Sequence, residues 1–501
     1  MKAFLMYRAR DVDPQAELPQ HAEELVQDLE LHALFSAMAA GDDFLFDVAR
    51  RTVLASLDDP ESIAYRQDIL RDCQAHPEAV RDLFDATLEA ADGERKILAR
   101  YFFSKSPELI LSRSVQVLRL MVGVLRKVRG IADAHGDVFR SEGFRRFFSM
   151  LERELDDDYF AVLEEHLARL ALRGGVEMSL HLGKGGKGAG YALRRSPRQR
   201  HGWLSRILGQ APTAIRIDVA VQDEAGHQAL SELRGRALEQ VANALAQSAD
   251  HVLAFFAALK FELGFYVGCL NLQTVLAEKG CALCIPTAAA AEDRALSADG
   301  VYDICLALHE DTQIVGNDLF ADGKGLIVIT GANQGGKSTF LRSVGQAHLM
   351  MLCGMAVAAQ AFTGSVCSDV FTHFKRGEDA GLEHGKFDEE LGRMTLIVNR
   401  LRPGALLLLN ESFASTNEWE GSEIARQIVR ALREAGVKIF FVTHLFDLAD
   451  GFFREQSPAA LFLRATRTED GRRTFRLSEG RPLPTSYGAD LYRKIFSAPR
   501  G

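Results

Sequence analysis

The sequence predicts an α/β domain built on a mostly parallel sheet, preceded by a largely α-helical domain. Three observations predict this. From Gly325 onward, short apolar runs alternate with helical stretches: Leu326–Thr330, Leu406–Leu409 and Ile439–Thr443. Strands that are apolar on both faces fit a parallel sheet covered by helices on each side. A glycine-rich turn joins the first of these runs to a helix over Ser338–Leu352. Ahead of all this, residues 20 to 172 repeat apolar side chains at spacings of three and four, as in Leu111, Val115, Leu118, Val122 and Leu125, with little glycine or proline. That is helical periodicity.

The turn is the most informative element. Gly331-Ala332-Asn333-Gln334-Gly335-Gly336-Lys337-Ser338 reads G-x-x-x-x-G-K-S, followed by Thr339. A strand feeding such a turn and then a helix N-terminus gathers backbone N–H groups around an anion. Glycines permit positive φ and close approach of the backbone. In this P-loop, Lys337 reaches the β- and γ-phosphates of a nucleotide and the Ser338 hydroxyl faces Mg²⁺. The expected cofactors are ATP and Mg²⁺.

Hydrolysis needs further groups. The second apolar run ends in Asn410-Glu411 and the third in Thr443-His444. A carboxylate at a strand end beside a P-loop can polarise the attacking water, which makes Glu411 the candidate base. Asn410 stands where P-loop ATPases usually hold an acid for Mg²⁺. An amide accepts a hydrogen bond but adds no charge, so weaker Mg²⁺ affinity is expected unless another carboxylate compensates. His444 can donate to the γ-phosphate and report its presence.

The 501 residues suggest roughly three domains. The expected boundaries are a helical region over 1–100, a helical core over 101–300 with a small insertion around 174–220, and the P-loop domain over 301–501. Ala229 to about Leu276 resumes helix, and Leu461–Thr466 with Thr474–Leu477 around Asp470-Gly471 reads as a hairpin adding an antiparallel edge to the sheet. The net charge of −9 argues against a protein that coats nucleic acid indiscriminately. Locally the balance reverses: Met178 to Ile217 has no acid and carries Lys184, Lys187, Arg194, Arg195, Arg198, Arg200 and Arg206. Such a surface suits a nucleic-acid backbone; a solvated loop explains the same charges equally well.

The seven cysteines are an odd, scattered set, as expected of reduced thiols. Cys281 and Cys284 form a single C-x-x-C without a second ligand pair, so two small half-buried residues fit better than a metal site. The N-terminus has too short an apolar run for a signal peptide. No stretch is read as approaching the ~20 apolar residues of a membrane span, which places the chain in the cytoplasm.

Together, the three strand ends resemble the ATPase domain of the MutS family of DNA mismatch-repair proteins, an ABC-type ATPase branch. Thr330–Thr339 is similar to the family's T-G-P-N-M-G-G-K-S-T, with Ala332 and Gln334 as the changes. Gly354–Gln360 resembles G-x-x-V-P-A, Asn410–Gly421 has the length of D-E-x-G-x-G-T-S-T-x-D-G, Thr443–Leu448 resembles T-H-Y-F-E-L, and Ser486-Tyr487-Gly488 matches S-Y-G. The likeness covers roughly Val315 to Phe496. It is weaker upstream, at Leu57, Pro60, Ile63, Arg66 and Asp68 and at Phe265 to Leu272. The resemblance implies an ATPase that couples nucleotide state to DNA, with two such domains facing each other in a homodimer. No counterpart of the mismatch-reading domain is seen, and the lever and clamp are shortened, so mismatch-independent DNA binding is expected. Where the family's S-T-F segment contacts nucleotide across the dimer, this chain has Gly385-Lys386-Phe387. Two other readings stay open: an ATP-dependent clamp on RNA or ribosomes, and a nucleotide-sensing scaffold with little hydrolysis.

Overall fold

The structure, a computed structural model, describes residues 1–100, 106–170, 178–182, 188–193, 224–310, 312, 314–376, 385–468 and 472–483. Contacts divide the chain into two compact units. One comprises Met1–Ala3, Arg81–Val138 and Arg145–Lys260; the other comprises Phe4–Val80, Phe139–Phe144 and Phe261–Gly501.

The first part of the chain is helical: α1 (Ala22–Asp28), α2 (His32–Ala39), α3 (Asp43–Leu54), α4 (Pro60–Ala75), α5 (Pro77–Arg100), α6 (Pro107–His135), α7 (Glu142–Glu154) and α8 (Asp157–Leu170). Several starts follow ordinary capping chemistry. The Asp42 carboxylate accepts from the Phe44 and Leu45 N–H groups, Asp59 accepts from Ser62 with Pro60 next in line, and Ser106 accepts from Leu109 with Pro107 following. After α8, β1 (Met178–Leu182) and β2 (Gly188–Leu193) pair antiparallel. The basic residues Lys184, Lys187, Arg194, Arg195, Arg198, Arg200 and Arg206 lie outside the described residues. Helix α9 (Glu224–Glu278) then runs for 55 residues.

In the first unit, α6, α8 and the start of α9 pack through Leu111, Val115, Leu238 and Ala242, with Leu170 and Leu245 against them. Arg126 pairs with Glu164 at 2.9 Å, and Arg119 donates to the Leu167 carbonyl at 3.1 Å. The 3.6-residue repeat of α6 therefore buries one stripe against two neighbours.

The second unit carries β3 (Thr287–Ala289), β4 (Leu296–Val301), α10 (Ile304–His309), β5 (Asn317–Phe320), β6 (Leu326–Thr330), α11 (Lys337–Leu352), β7 (Ala361–Ser365), β8 (Val370–Phe374), α12 (Lys386–Val398), β9 (Leu406–Asn410), α13 (Glu418–Glu434), β10 (Lys438–Val442), α14 (Phe446–Arg454), β11 (Ala460–Arg467) and β12 (Arg473–Glu479). Six strands form a sheet in the order β12-β11-β6-β10-β9-β8. Its central pairings are parallel, and β12 adds an antiparallel edge to β11. A second sheet, β3-β7-β4-β5, is mixed. The sequence reading did not anticipate that sheet. Its strands are short, and β4 and β7 contain glycine, so they lack the solid apolar runs that mark β6, β9 and β10.

Helix α11 packs against strands of both sheets, which explains why nearly its whole circumference is buried. On the opposite face of the six-stranded sheet, Leu407, Leu409, Ile439 and Phe441 meet Ala425, Val429, Leu448 and Phe452 of α13 and α14. Near the outer strand β8 lies His21, the residue just before α1, whose ring stacks on Phe371 at 4.3 Å and whose Nε2 lies 3.2 Å from Asp369 Oδ1. The α4 arginine Arg66 is buried. It donates to the carbonyls of Met6 and Cys353 and packs over Gly354, where φ is +83° and a Cβ would sit 2.6 Å from Arg66 Cβ. This ties α4 to the end of α11.

One expectation needs correction. Leu238–Glu278 is long and apolar enough, by length and composition, to cross a membrane. Most of its apolar stretch is buried within the fold, as in a core helix. All seven cysteines are free; Cys281 and Cys284 are half-buried, and no group of three metal-ligating side chains occurs among the described residues.

Candidate functional site

Parallel strands deliver their C-terminal ends to one edge of the sheet, and the sequence-predicted residues converge there. The loop after β6 turns through Gly331 at φ +117°, Gln334 at φ +57° and Gly336 at φ +90° before α11 begins at Lys337. Asn333 and Gln334 are exposed at its crest, and Ser338 and Thr339 lie in the first turn of α11. Gly335 is required by packing: a Cβ there would lie 2.8 Å from Ala465 Cβ and 2.9 Å from the Ala332 carbonyl. The β11–β12 hairpin thus braces the loop. Ala465 lies against Gly331 and Gly335, and the Phe475 backbone lies against Gly336. Asn317 holds β12 with both ends of its amide, donating to the Phe475 carbonyl at 3.2 Å and accepting from the Leu477 N–H at 2.8 Å.

Lys337 is 5% exposed and folds back on the loop, donating to the carbonyls of Gly331 and Ala332 at 2.9 Å each. Burial pushes its ammonium below the usual lysine range, while the Glu411 charge pulls it back up. Ser338 Oγ donates to Asn410 Oδ1 at 3.0 Å. The hydroxyl assigned to Mg²⁺ and the amide standing in the acid's place therefore face each other. Ser338 is the donor a Mg²⁺ takes, but this pair brings two neutral oxygens and no carboxylate, an incomplete set for a hard divalent cation.

Glu411 and His444 also meet. His444 Nε2 donates to Glu411 Oε1 at 2.8 Å, with both side chains about a third exposed (28% and 34%). The histidine hydrogen bond is the main reason the Glu411 carboxyl titrates below its ordinary value; the charges of His444, Lys337 and Lys375 act the same way, and burial opposes them. The backbone fixes the geometry. The Glu411 N–H donates to the Val442 carbonyl at 2.8 Å and the Thr443 N–H to Ile329 at 3.1 Å, locking the three strand ends together.

Sequence reading missed three contributors. Glu411 and Phe413 both have positive φ, +56° and +65°, without being glycine. Their loop is pinned from β8. His373 is fully buried; its Nε2 donates to the Glu390 carbonyl at 3.1 Å, and its Nδ1 lies 2.7 Å from Ser412 Oγ. The Ser412 hydroxyl donates to the His373 backbone carbonyl at 2.7 Å, so it sits between the main chain and the ring of one residue. The imidazole also stacks on Phe413 at 5.8 Å and 18°. The third is Lys375, the first residue past β8, whose N–H donates to the Asn410 carbonyl at 3.0 Å. A histidine and a lysine in an ordinary β-run carry no motif. Gly385 caps α12 without a side chain, and residues 377–384, 484–501 and the basic segment lie outside the described residues.

Two family models match the chain: the MutS2 N-terminal domain over residues 58–279 and MutS domain V over residues 327–496. The chain belongs to the MutS family. A helical N-terminal region followed by a mixed α/β domain agrees with MutS domain V at the P-loop end. Curated relatives include a DNA mismatch repair protein MutS from Thermotoga sp. (strain RQ2), 36% identical over 137 residues, covering 27% of this chain and 17% of that protein. An Endonuclease MutS2 from Clostridium novyi (strain NT) is 31% identical over 160 residues, covering 30% and 20%. The DNA mismatch repair protein MutS of Chloroflexus aurantiacus (strain ATCC 29366 / DSM 635 / J-10-fl) is 31% identical over 181 residues, covering 35% and 18%. The matched part spans no more than 20% of the length of these relatives.

Proposed function

We propose that this MutS-family chain binds ATP on the Gly331–Ser338 loop, hydrolyses it, and uses the nucleotide state to control binding to DNA. The observation that carries the reading is the convergence of Lys337, Ser338, Asn410, Glu411 and His444 on the ends of three adjacent parallel strands, with Glu411 and His444 in direct hydrogen bond.

The chemistry follows from these positions. The N–H groups at the start of α11 face a bound phosphate. Lys337 exchanges the carbonyls of Gly331 and Ala332 for the β- and γ-phosphate oxygens. Mg²⁺ enters as part of the substrate, against Ser338. Glu411, held ionised by His444, takes a proton from water as the water oxygen bonds to the γ-phosphorus. The bond to the β–γ bridging oxygen breaks, and ADP leaves. His444 orients the carboxylate and can donate to the γ-phosphate. The family supplies the expectation of DNA and of paired ATPase domains, and Lys184 to Arg206 is the segment suited to a phosphate backbone. The free thiols fit a cytoplasmic setting.

Calorimetry and a turnover assay test the nucleotide half. Lys337→Ala should abolish ATP binding, and Glu411→Gln should keep binding while lowering turnover by about 10²–10⁴-fold. Turnover unchanged in Glu411→Gln overturns the assignment. Gel shifts with duplex DNA, branched DNA and structured RNA, with and without ATP, test the other half; preference for RNA refutes the DNA assignment. A second reading, a nucleotide-sensing scaffold, is favoured by Asn410. It is supported if the parent chain binds ATP and shows no turnover.

A further inference from the structure

The end of β8 lies beside the proposed nucleotide site, yet no motif assigns it a role. In the parallel pairing of β8 with β9, Phe374 is level with Asn410, so the next residue, Lys375, is level with Glu411. The Lys375 N–H donates to the Asn410 carbonyl, which fixes the origin of a long cationic side chain at the mouth of the site. The residue is exposed, and its charge acts on the Glu411 carboxylate at the end of the neighbouring strand.

This lysine changes the charge balance. A divalent ion at a triphosphate neutralises the β- and γ-oxygens and is held by protein oxygens, usually with a carboxylate among them. Here the two oxygens at that place, Ser338 Oγ and Asn410 Oδ1, are neutral and hydrogen-bonded to each other. The nearby acid, Glu411, is engaged by His444. Among the described residues, the paired oxygens on the ion's side carry no charge, and a positive charge stands on the adjacent strand end. Both features weaken the hold on a metal and strengthen the hold on the bare polyphosphate.

We propose that Lys375 is the cation that meets the γ-phosphate, and that with Asn410 in the acid's place it makes triphosphate binding largely independent of a divalent ion. The proposal rests on the ATP-binding reading above. Its role is specificity as well as charge: ADP, which lacks the γ-phosphate, should gain nothing from it.

Calorimetry on the full chain with ATP and with ADP, in excess EDTA and in Mg²⁺, tests this. The parent's ATP affinity in EDTA should lie within about threefold of that in Mg²⁺. Lys375→Met should weaken ATP binding in EDTA by about tenfold or more and leave ADP unchanged, while Lys375→Arg should restore it. Asn410→Asp should make ATP binding depend on Mg²⁺. Because Lys375 is exposed, a thermal melt of Lys375→Met should match the parent, which separates lost binding from lost folding. ATP binding by the parent that collapses on chelation, or Lys375→Met binding like the parent in EDTA, overturns the proposal and leaves the ATP reading intact. Absence of binding under both conditions overturns both.

Discussion

Two loops on the same sheet edge solve one conformational problem in different ways. The loop after β6 reaches left-handed backbone at Gly331 and Gly336, where the residue itself permits it, and at the exposed Gln334. The loop after β9 reaches it at Glu411 and Phe413, where side chains oppose it and each such position costs about 1–3 kcal/mol. The surroundings must hold the second loop. They do so with the His373–Ser412 hydrogen bond, the His373 ring over Phe413, the Glu411–His444 pair and the Glu411 N–H on Val442. The phosphate loop is set by local sequence and the acid loop by tertiary contacts. Changes at a distance should therefore disturb Glu411 far more than Lys337.

The largest expected break is Phe413→Ala. The ring is fully buried within the cluster under β9, α13 and α14, so its loss should lower stability by about 3 kcal/mol or more. In a chemical-denaturation series, turnover should fall further than ATP affinity because Glu411 loses its support. Equal losses in both would show the two loops to be one unit.

Acid tests the same anchor without mutation. Burial lowers His373 from its ordinary 6.5 to about 4. The folded state therefore resists a proton that the unfolded chain accepts. The associated stability is complete above about 6.5, falls as pH drops, and is fully lost near 4, a total of about 3 kcal/mol on the linkage relation. Unfolding midpoints between pH 7 and 4 should show this decline, and His373→Asn should flatten it. His348, also lowered to about 4 by burial, contributes the same slope in both proteins, so the difference between the curves isolates His373. Parallel curves would mean that His373 is not the group responsible.

How much could be read without coordinates follows from this contrast. The P-loop was legible because its requirements are local: glycine at the two tight positions, lysine and serine at the helix start. Strands β6, β9 and β10 were legible because they are apolar on both faces, and Glu411 and His444 because they end those strands. The second sheet was not legible, because its short strands alternate burial and include glycine. His373, Ser412 and Lys375 were invisible for a different reason. Their importance comes from register between β8 and β9, and register is a property of pairing that no single strand records.

A smaller effect is expected at Ser412→Ala, which leaves the buried His373 carbonyl without the Ser412 donor and the ring Nδ1 without its partner. Removing one partner of a buried pair costs about 1–3 kcal/mol. The informative measurement is the partition: kcat should fall while the ATP affinity holds, and Ser412→Thr, which keeps the hydroxyl, should recover part of kcat. If Ser412→Ala loses stability with kcat intact, the anchor is structural and Glu411 is held by His444 alone.

The smallest effect sharpens the glycine side. Gly331 and Gly336 both have positive φ, but their surroundings differ. A Cβ on Gly336 meets nothing closer than 3.4 Å, at the Phe475 carbonyl, whereas one on Gly331 meets the Ala465 N at 3.0 Å and Ala465 Cβ at 3.1 Å. Gly336→Ala should thus carry only the backbone penalty, about 1 kcal/mol after the gain from a stiffer unfolded chain. Gly331→Ala adds a clash with a strand backbone that β6 and β12 hold from both sides, so it should cost more. Thermal melts of the two variants decide between local and tertiary control. A Gly336→Ala penalty as large as that at Gly331 would mean that the hairpin already grips the loop at Phe475, and the phosphate loop would then depend on its neighbours much as the acid loop does.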